Sequence, residues 1–66
     1  SERLCSKPAC TQIAVATLTF EYATSTAVIG PLSARAEPHA HDLCREHAKN
    51  FVGPNGWQVV IHASLA

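Results

Sequence analysis

A chain of 66 residues can form only one domain, and its core is marginal because it buries only about 60% of the surface of the unfolded chain. Its five basic and five acidic side chains cancel, which excludes a general electrostatic attraction to nucleic-acid phosphates. No apolar run approaches the roughly 20 residues that span a bilayer, so no membrane association is expected. The chain contains no methionine, and we therefore expect residues 1–66 to be a single domain trimmed from a longer protein.

The cysteine count indicates a metal site rather than a disulfide framework. Three cysteines are an odd number, and pairing two of them would leave one thiol over. Three thiolates and one histidine, in contrast, complete the tetrahedral shell that zinc prefers. Because free thiols persist in reducing compartments, the count also predicts a cytoplasmic protein.

The first predicted element is a short loop between Cys5 and Cys10. Four residues separate the two cysteines, and Pro8 among them bends the backbone. We expect this loop to direct both thiolates toward one position.

A β-hairpin is predicted next. Residues 14–22 alternate, with Leu18, Phe20 and Tyr22 on one side and mainly threonine on the other, which is typical of a strand. Small turn-forming residues follow, and residues 26–30 form a second short strand that a Gly-Pro pair ends.

One helix is predicted after the hairpin. Residues 33–40 are expected to form a loop, and Asp42 is expected to cap a helix whose first turn is residues 43–46. The helix should end near Phe51, with Gly53 just past its end.

The last predicted element is a third strand over residues 57–63. Trp57, Val59 and Ile61 alternate there with other residues at a period of two. Because Trp57 and Tyr22 both lie on apolar strand faces, we expect the two rings to pack in the core rather than to stack on nucleic-acid bases.

These elements bring four candidate metal ligands together. Cys44 and His47 are three residues apart, so they share one face of the predicted helix. The loop before the hairpin supplies the other two. The sequence therefore predicts one zinc site with the ligands Cys5, Cys10, Cys44 and His47.

A second histidine competes for the fourth position in this site. His41 precedes Cys44 by three residues, just as His47 follows it. His47 is favoured because it lies on the predicted helix and its side chain points back toward the first turn.

A zinc ion held by four protein ligands is structural, because it leaves no open position for water or substrate. Such an ion contributes on the order of 10–16 kcal/mol in small zinc modules near neutral pH. This is more than a core of this size supplies, so the metal is expected to hold the domain together.

The loop that carries Cys5 and Cys10, a zinc knuckle, is followed by a β-hairpin and then by a helix with two ligands in its first turn. This order resembles the treble-clef zinc finger. The resemblance covers residues 5 to about 51. It implies a small α+β zinc-bound domain, here with an additional C-terminal strand.

The whole chain is also similar to a small actinobacterial family that is known only as a domain of unknown function. The similarity implies a cytoplasmic bacterial protein with a zinc-finger-like domain and implies no activity. It is carried by the stretches CSKPAC, AVATLTFEYATSTAVIGPLS, EPHAHDLCREHA and GPNGWQVV.

The function expected from these features is a non-enzymatic, structural-zinc binding module that mediates protein–protein interaction. Arg45 and Lys49 are four residues apart and form one basic edge of the helix, and Arg3 and Lys7 are expected to lie near that edge through the zinc. The alternative is a nucleic-acid-binding or regulatory zinc finger, which usually carries a stronger positive excess. No small-molecule substrate is indicated.

A relative of the His-Asn-His nucleases is a third and less favoured interpretation. Some of these enzymes share the treble-clef scaffold, and LCREHAK is similar to their helix. They need an Asp-His pair on the hairpin, and the predicted hairpin has neither residue.

Overall fold

In the computed structural model, residues 3–35 and 37–63 are described. They form, in chain order, β1 (Ala16–Glu21), β2 (Thr26–Pro31), β3 (Ala40–Leu43), α1 (Arg45–Lys49) and β4 (Gln58–Ile61). The four strands form one sheet in the order β3-β1-β2-β4. β1 is antiparallel to both neighbours, and β4 is parallel to β2. The chain is thus a small α+β domain.

The predicted hairpin is confirmed. β1 and β2 pair in an unbroken register from Ala16 opposite Pro31 to Glu21 opposite Thr26. The turn between them includes Ser25, whose φ of 50° lies in the left-handed region. The predicted third strand is also confirmed as β4, although it is shorter than residues 57–63.

β3 was not predicted. Its residues were assigned partly to a loop and partly to the start of the helix, with Asp42 as the helix cap. Asp42 lies instead in β3, opposite Thr17 of β1. A strand of four residues is too short to show a hydrophobic period, and it forms because its backbone pairs with β1.

The helix is shorter than predicted and begins later. Cys44 is its N-cap, with extended backbone angles and a sulfur that accepts a hydrogen bond from the backbone N–H of His47 at 3.4 Å. Asn50 ends the helix and donates its N–H to the carbonyl of Glu46.

The prediction that Gly53 lies just past the helix end is wrong, because the helix ends earlier, with Asn50 as its C-cap. A Cβ at this position would lie 3.0 Å from a side-chain methyl of Val59, so the lack of a side chain at Gly53 lets the loop after the helix pack closely against β4.

The core lies between one face of the sheet and the segments that cover it. The helix contributes Ala48, which is fully buried, and both Cys5 and Cys44 belong to the same buried cluster. Two of the four metal-ligand candidates are therefore part of the core. The remaining members of the cluster are the strand residues Ala16, Leu18, Ala27, Ile29 and Leu43.

All four aromatic residues of the chain gather at the hairpin end of this face, around Phe20. The centroid of Phe20 lies 5.7 Å from that of Trp57 and 6.3 Å from that of Phe51. Trp57 is half-buried, but Tyr22 is 77% exposed, so its predicted place in the core was wrong. Tyr22 lies just beyond the end of β1, where its ring packs edge-on against Trp57 at 5.5 Å and tilted against Phe20 at 6.2 Å.

Across residues 3–35 and 37–63, no helix has the length and apolar character needed to cross a lipid bilayer.

Candidate metal centre

The loop that carries Cys5 and Cys10 is a tight knuckle. Leu4 pairs with Ile13 in an isolated antiparallel bridge, and the N–H of Cys5 donates to the carbonyl of Gln12 at 2.9 Å. The N–H of Cys10 donates to the carbonyl of Lys7 at 3.1 Å. These contacts reverse the chain within the loop and turn both thiols the same way, as predicted.

The knuckle contains a strained residue that sequence reasoning did not identify. Ala9 has a φ of 62°, in the left-handed region that costs a residue with a Cβ roughly 1 kcal/mol or more. No pattern in the sequence marks this position, because glycine, the usual signal, is absent from it.

We expect Ala9→Gly to raise the free energy of unfolding of the metal-loaded domain by about 0.5–1 kcal/mol, because glycine relieves the left-handed strain. Denaturant unfolding followed by circular dichroism measures this. Ala23→Gly, at an exposed turn position without a positive φ, is the matched control and should be neutral or destabilising. If Ala9→Gly lowers the free energy of unfolding as much as the control does, Ala9 is not strained.

The knuckle is attached to β3 by two hydrogen bonds between Ser6 and Asp42. The N–H of Ser6 donates to the carbonyl of Asp42 at 2.7 Å, and the N–H of Asp42 donates to the hydroxyl of Ser6 at 3.1 Å. Since Ser6 follows Cys5 and Asp42 precedes Cys44 by two residues, these bonds set the distance between the two cysteines.

A polar network that includes Arg3 further stabilises the attachment of the knuckle to β3. Arg3 Nε lies 3.1 Å from a carboxylate oxygen of Asp42, and the guanidinium also donates to the carbonyl of Ser33. Thr17, a buried residue, lies 3.4 Å from Asp42 through its hydroxyl and accepts the N–H of Ser33 at 2.8 Å. Sequence reasoning missed this network because its members are far apart in the chain.

The structure brings the four predicted ligands together. Nδ1 of His47 lies 3.2 Å from Sγ of Cys5 and 3.3 Å from Sγ of Cys44, and the sulfurs of Cys10 and Cys44 are 3.9 Å apart. All four ligand atoms lie within 4.8 Å of one another, so the group could hold a metal ion. Cys5 and Cys44 are buried, whereas Cys10 and His47 are half-buried.

These separations fit a tetrahedral metal site. With Zn–S bonds of about 2.3 Å and a Zn–N bond of about 2.0 Å, two sulfurs lie about 3.8 Å apart and a sulfur and a nitrogen about 3.6 Å apart. The observed 3.9, 3.2 and 3.3 Å are within a few tenths of an ångström of these values. The donor set of three sulfurs and one imidazole nitrogen suits a soft or borderline cation.

His41 lies elsewhere. It is exposed on β3, and its ring packs edge-on against Phe20 with centroids 5.9 Å apart. Of the two histidines that the sequence offered for the fourth position, the one that lies with the three cysteines is therefore His47.

Comparison with protein families identifies the chain. The model of a family described as a protein of unknown function, DUF3499, matches residues 2–66. The chain belongs to the DUF3499 family. No curated protein and no solved structure matches it significantly. Since the family description carries no activity, the function of this DUF3499 member has to be argued from its site.

The thiol of Cys5 favours the charged form. Burial alone would raise its pKa, but hydrogen bonds outweigh burial and lower the pKa to about 6. At neutral pH this thiol is therefore largely a thiolate, the form that binds metal. The hydrogen bonds come from the backbone at Lys7 and Cys44 and from the side chains of His47 and Cys10.

The thiol of Cys10 behaves in the opposite way. A backbone hydrogen bond at Gln12 lowers its pKa, but desolvation and the neighbouring sulfurs of Cys5 and Cys44 outweigh it and raise the pKa. The DUF3499 site thus disfavours several thiolates side by side. A divalent cation between them would remove this repulsion.

One side of the cluster faces an open groove of about 700 Å³. Exposed Ile13 and Val15 give its wall apolar surface, and Arg45 and Glu46 bring charges of both signs. Cys5 is on the far side of the cluster. The remaining lining residues are Cys10, Thr11, Gln12, Cys44 and His47.

In the DUF3499 fold, the four residues of the predicted basic edge differ in their exposure. Arg45 and Lys49 are the first and last residues of the helix and are exposed, as is Lys7 in the knuckle. Arg3 is instead paired with Asp42, with only 23% of its side chain exposed. Partner binding by these four residues stays a prediction.

Proposed function

We propose that this domain is a non-enzymatic binding module built around one structural zinc ion. The observation that carries the proposal is the cluster of three thiols and one imidazole, whose four ligand atoms lie within 4.8 Å of one another and supply the number and type of ligands of a tetrahedral shell. Four protein ligands leave no position for water or substrate, so an ion held there organises the fold rather than performs chemistry. Zinc supplies this cross-link without redox chemistry.

Zinc is favoured over other divalent ions by the donor atoms. Thiolate and imidazole ligands in tetrahedral geometry select zinc, whereas magnesium and calcium require oxygen ligands. All three cysteines are free thiols in the structure, which supports a reducing, cytoplasmic location.

We further propose that the site is a variant of the treble clef and that the protein is actinobacterial. The chain order supports the first point, since a knuckle with two ligands precedes a hairpin and a helix start carries the other two. β3 lies between the hairpin and the helix as an addition to that order. The second point rests on the sequence similarity described above.

The metal assignment is tested by changing one histidine at a time. Reduced, untagged wild-type protein is expected to contain one zinc ion per chain by elemental analysis. His47→Ala should lower the zinc affinity strongly, because it removes one of the four ligands. His41→Ala, the matched control, should keep the full zinc content, because its ring packs against Phe20. Equal zinc loss in the two variants would refute the assignment.

The partner we propose is an acidic surface of another protein. The exposed cations Arg45 and Lys49 would meet this surface, beside a groove whose wall combines apolar residues with Arg45 and Glu46. The chain has no net positive charge to hold a nucleic-acid backbone. The zinc site would hold this surface in one shape, which lowers the entropy lost on binding.

Charge reversal at Arg45 and Lys49 together is expected to weaken partner capture by about tenfold or more while the zinc content stays at one per chain. Affinity purification from the native cell followed by titration with the recovered partner measures this. Arg35→Glu, in the loop between β2 and β3, is the control and should bind like wild type.

Unchanged capture by the doubly reversed variant would exclude this helix edge. Recovery of nucleic acid as the ligand, with a strong dependence on salt, would favour the alternative of a nucleic-acid-binding zinc finger.

A further inference from the structure

The two edges of the sheet differ in how they are covered. On the β3 edge, the knuckle lies alongside and Ser6 satisfies both the N–H and the carbonyl of Asp42. On the other edge, no strand within residues 3–35 and 37–63 pairs with the outer side of β4. The domain therefore presents one open edge, formed by β4.

The hydrogen bonds to β2 show which backbone groups of β4 face outward. Gln58 donates its N–H to the carbonyl of Ser25 at 3.0 Å, and His62 donates to that of Ile29 at 2.8 Å. In a parallel ladder alternate residues face the same neighbour, so Val59 and Ile61 direct their N–H and carbonyl groups away from the sheet. Two donors and two acceptors line the open edge.

Apart from its short length of four residues, β4 lacks the features that protect a sheet edge. Gln58–Ile61 contains no charged residue and no proline, and its register with β2 is continuous, without a bulge. Ile61 is 46% exposed although it is aliphatic. Natural proteins usually protect an exposed strand edge from pairing with another chain, except where such pairing is part of the protein's function.

We propose that β4 pairs antiparallel with β4 of a second copy of the chain, about a twofold axis at Val60. Val59 then lies opposite the Ile61 of the second copy, and the outward backbone groups of these residues exchange four hydrogen bonds across the axis. The sheet becomes continuous through both copies, with eight strands.

The side chains match in this register. On the core side, Val59 faces Ile61, and the large Trp57 faces the small Ala63. On the opposite side, the polar Gln58 faces His62, and the two Val60 side chains meet at the axis. Each pair therefore joins apolar with apolar or polar with polar, which stabilises an antiparallel pair.

Two other registers would also pair the outward-facing backbone groups of β4, but in them apolar side chains lie opposite polar ones. An axis at Val59 places Gln58 opposite Val60, and an axis at Ile61 places Val60 opposite His62. Because the segment also carries no formal charge, two copies approach without repulsion. Self-complementarity in one register is the reason that a second copy, rather than an unrelated strand, is the proposed occupant.

The test is self-association of the zinc-loaded chain, measured by sedimentation over a dilution series. An interface of one short strand pair is small, so a weak dimer that dissociates on dilution is expected. Ile61→Pro should weaken it by at least about tenfold, since it removes one outward donor from each copy and leaves the bonds to β2 intact. Zinc content and spectral dispersion confirm that the variant is folded.

Val60→Lys and Val28→Lys form the matched pair. Val60→Lys places two like charges at the axis and should abolish dimerisation. Val28, the register partner of Val60 in β2, lies on the same face one strand further in, so Val28→Lys should dimerise like wild type. A wild-type chain that stays monomeric at every concentration overturns the proposal, as does Val60→Lys or Ile61→Pro dimerising like wild type. These outcomes are independent of the metal and of the proposed protein partner.

Discussion

Cys44→Ser is expected to leave the domain unfolded, with a collapsed spread of amide resonances in an NMR spectrum. Serine is close to cysteine in size, and its hydroxyl is a strong helix N-cap, so the capping bond to the N–H of His47 survives the change. What is lost is the ligand that contacts both Cys10 and His47 in the cluster. The effect of the substitution therefore reports the metal and not the cap.

The size of this effect follows from how little else holds the domain. The buried cluster is rich in alanine, and its largest fully buried side chains are Ile29 and Leu43. A metal contribution on the order of 10–16 kcal/mol is as large as the whole stability of about 5–15 kcal/mol that is usual for a folded domain, so its loss is expected to unfold the chain. Excess zinc should not restore the variant, and native-like dispersion of Cys44→Ser would refute the role of the metal.

Removal of zinc from the wild-type chain by a strong chelator at neutral pH is expected to unfold it reversibly. Without the ion, the knuckle and the helix start are joined by few contacts. Trp57 reports the change, because it is the only tryptophan and packs against Phe20 and Tyr22. Its fluorescence should shift toward that of a solvated indole on chelation.

One equivalent of zinc should restore the folded spectrum, whereas magnesium should not, since thiolate and imidazole are poor ligands for a hard cation. A chelated chain with unchanged fluorescence and circular dichroism would mean that the core is sufficient alone.

The candidate metal-ligand group was accessible to sequence reasoning because its evidence is local and chemical. Cys5 and Cys10 flank a proline-containing loop, and Cys44 and His47 are spaced to share one face. The structure places all four together, even though Cys44 is the cap of the helix and not a residue inside its first turn. In either case Cys44 and His47 are three positions apart and their side chains point the same way, so the error in the helix start did not affect the ligand set.

The same error had a larger consequence for Asp42. Aspartate is one of the residue types that most often cap the N-terminus of a helix, and nothing else in the sequence argued against that role for Asp42. In the structure its backbone bonds Ser6 and its carboxylate bonds Arg3, residues that are more than thirty positions away in the chain. A long-range network of this kind leaves no periodic trace in a sequence.

The hairpin, the last strand and the four side chains able to hold a metal were predictable from the residues alone, because two-residue periodicity and ligand spacing are properties of neighbouring residues. The existence of β3, the left-handed conformation of Ala9 and the open edge at β4 became visible only in the folded chain. Each of these depends on which backbone groups meet across long loops, and that pairing follows from the closure of the whole chain around its core and metal site rather than from any local stretch.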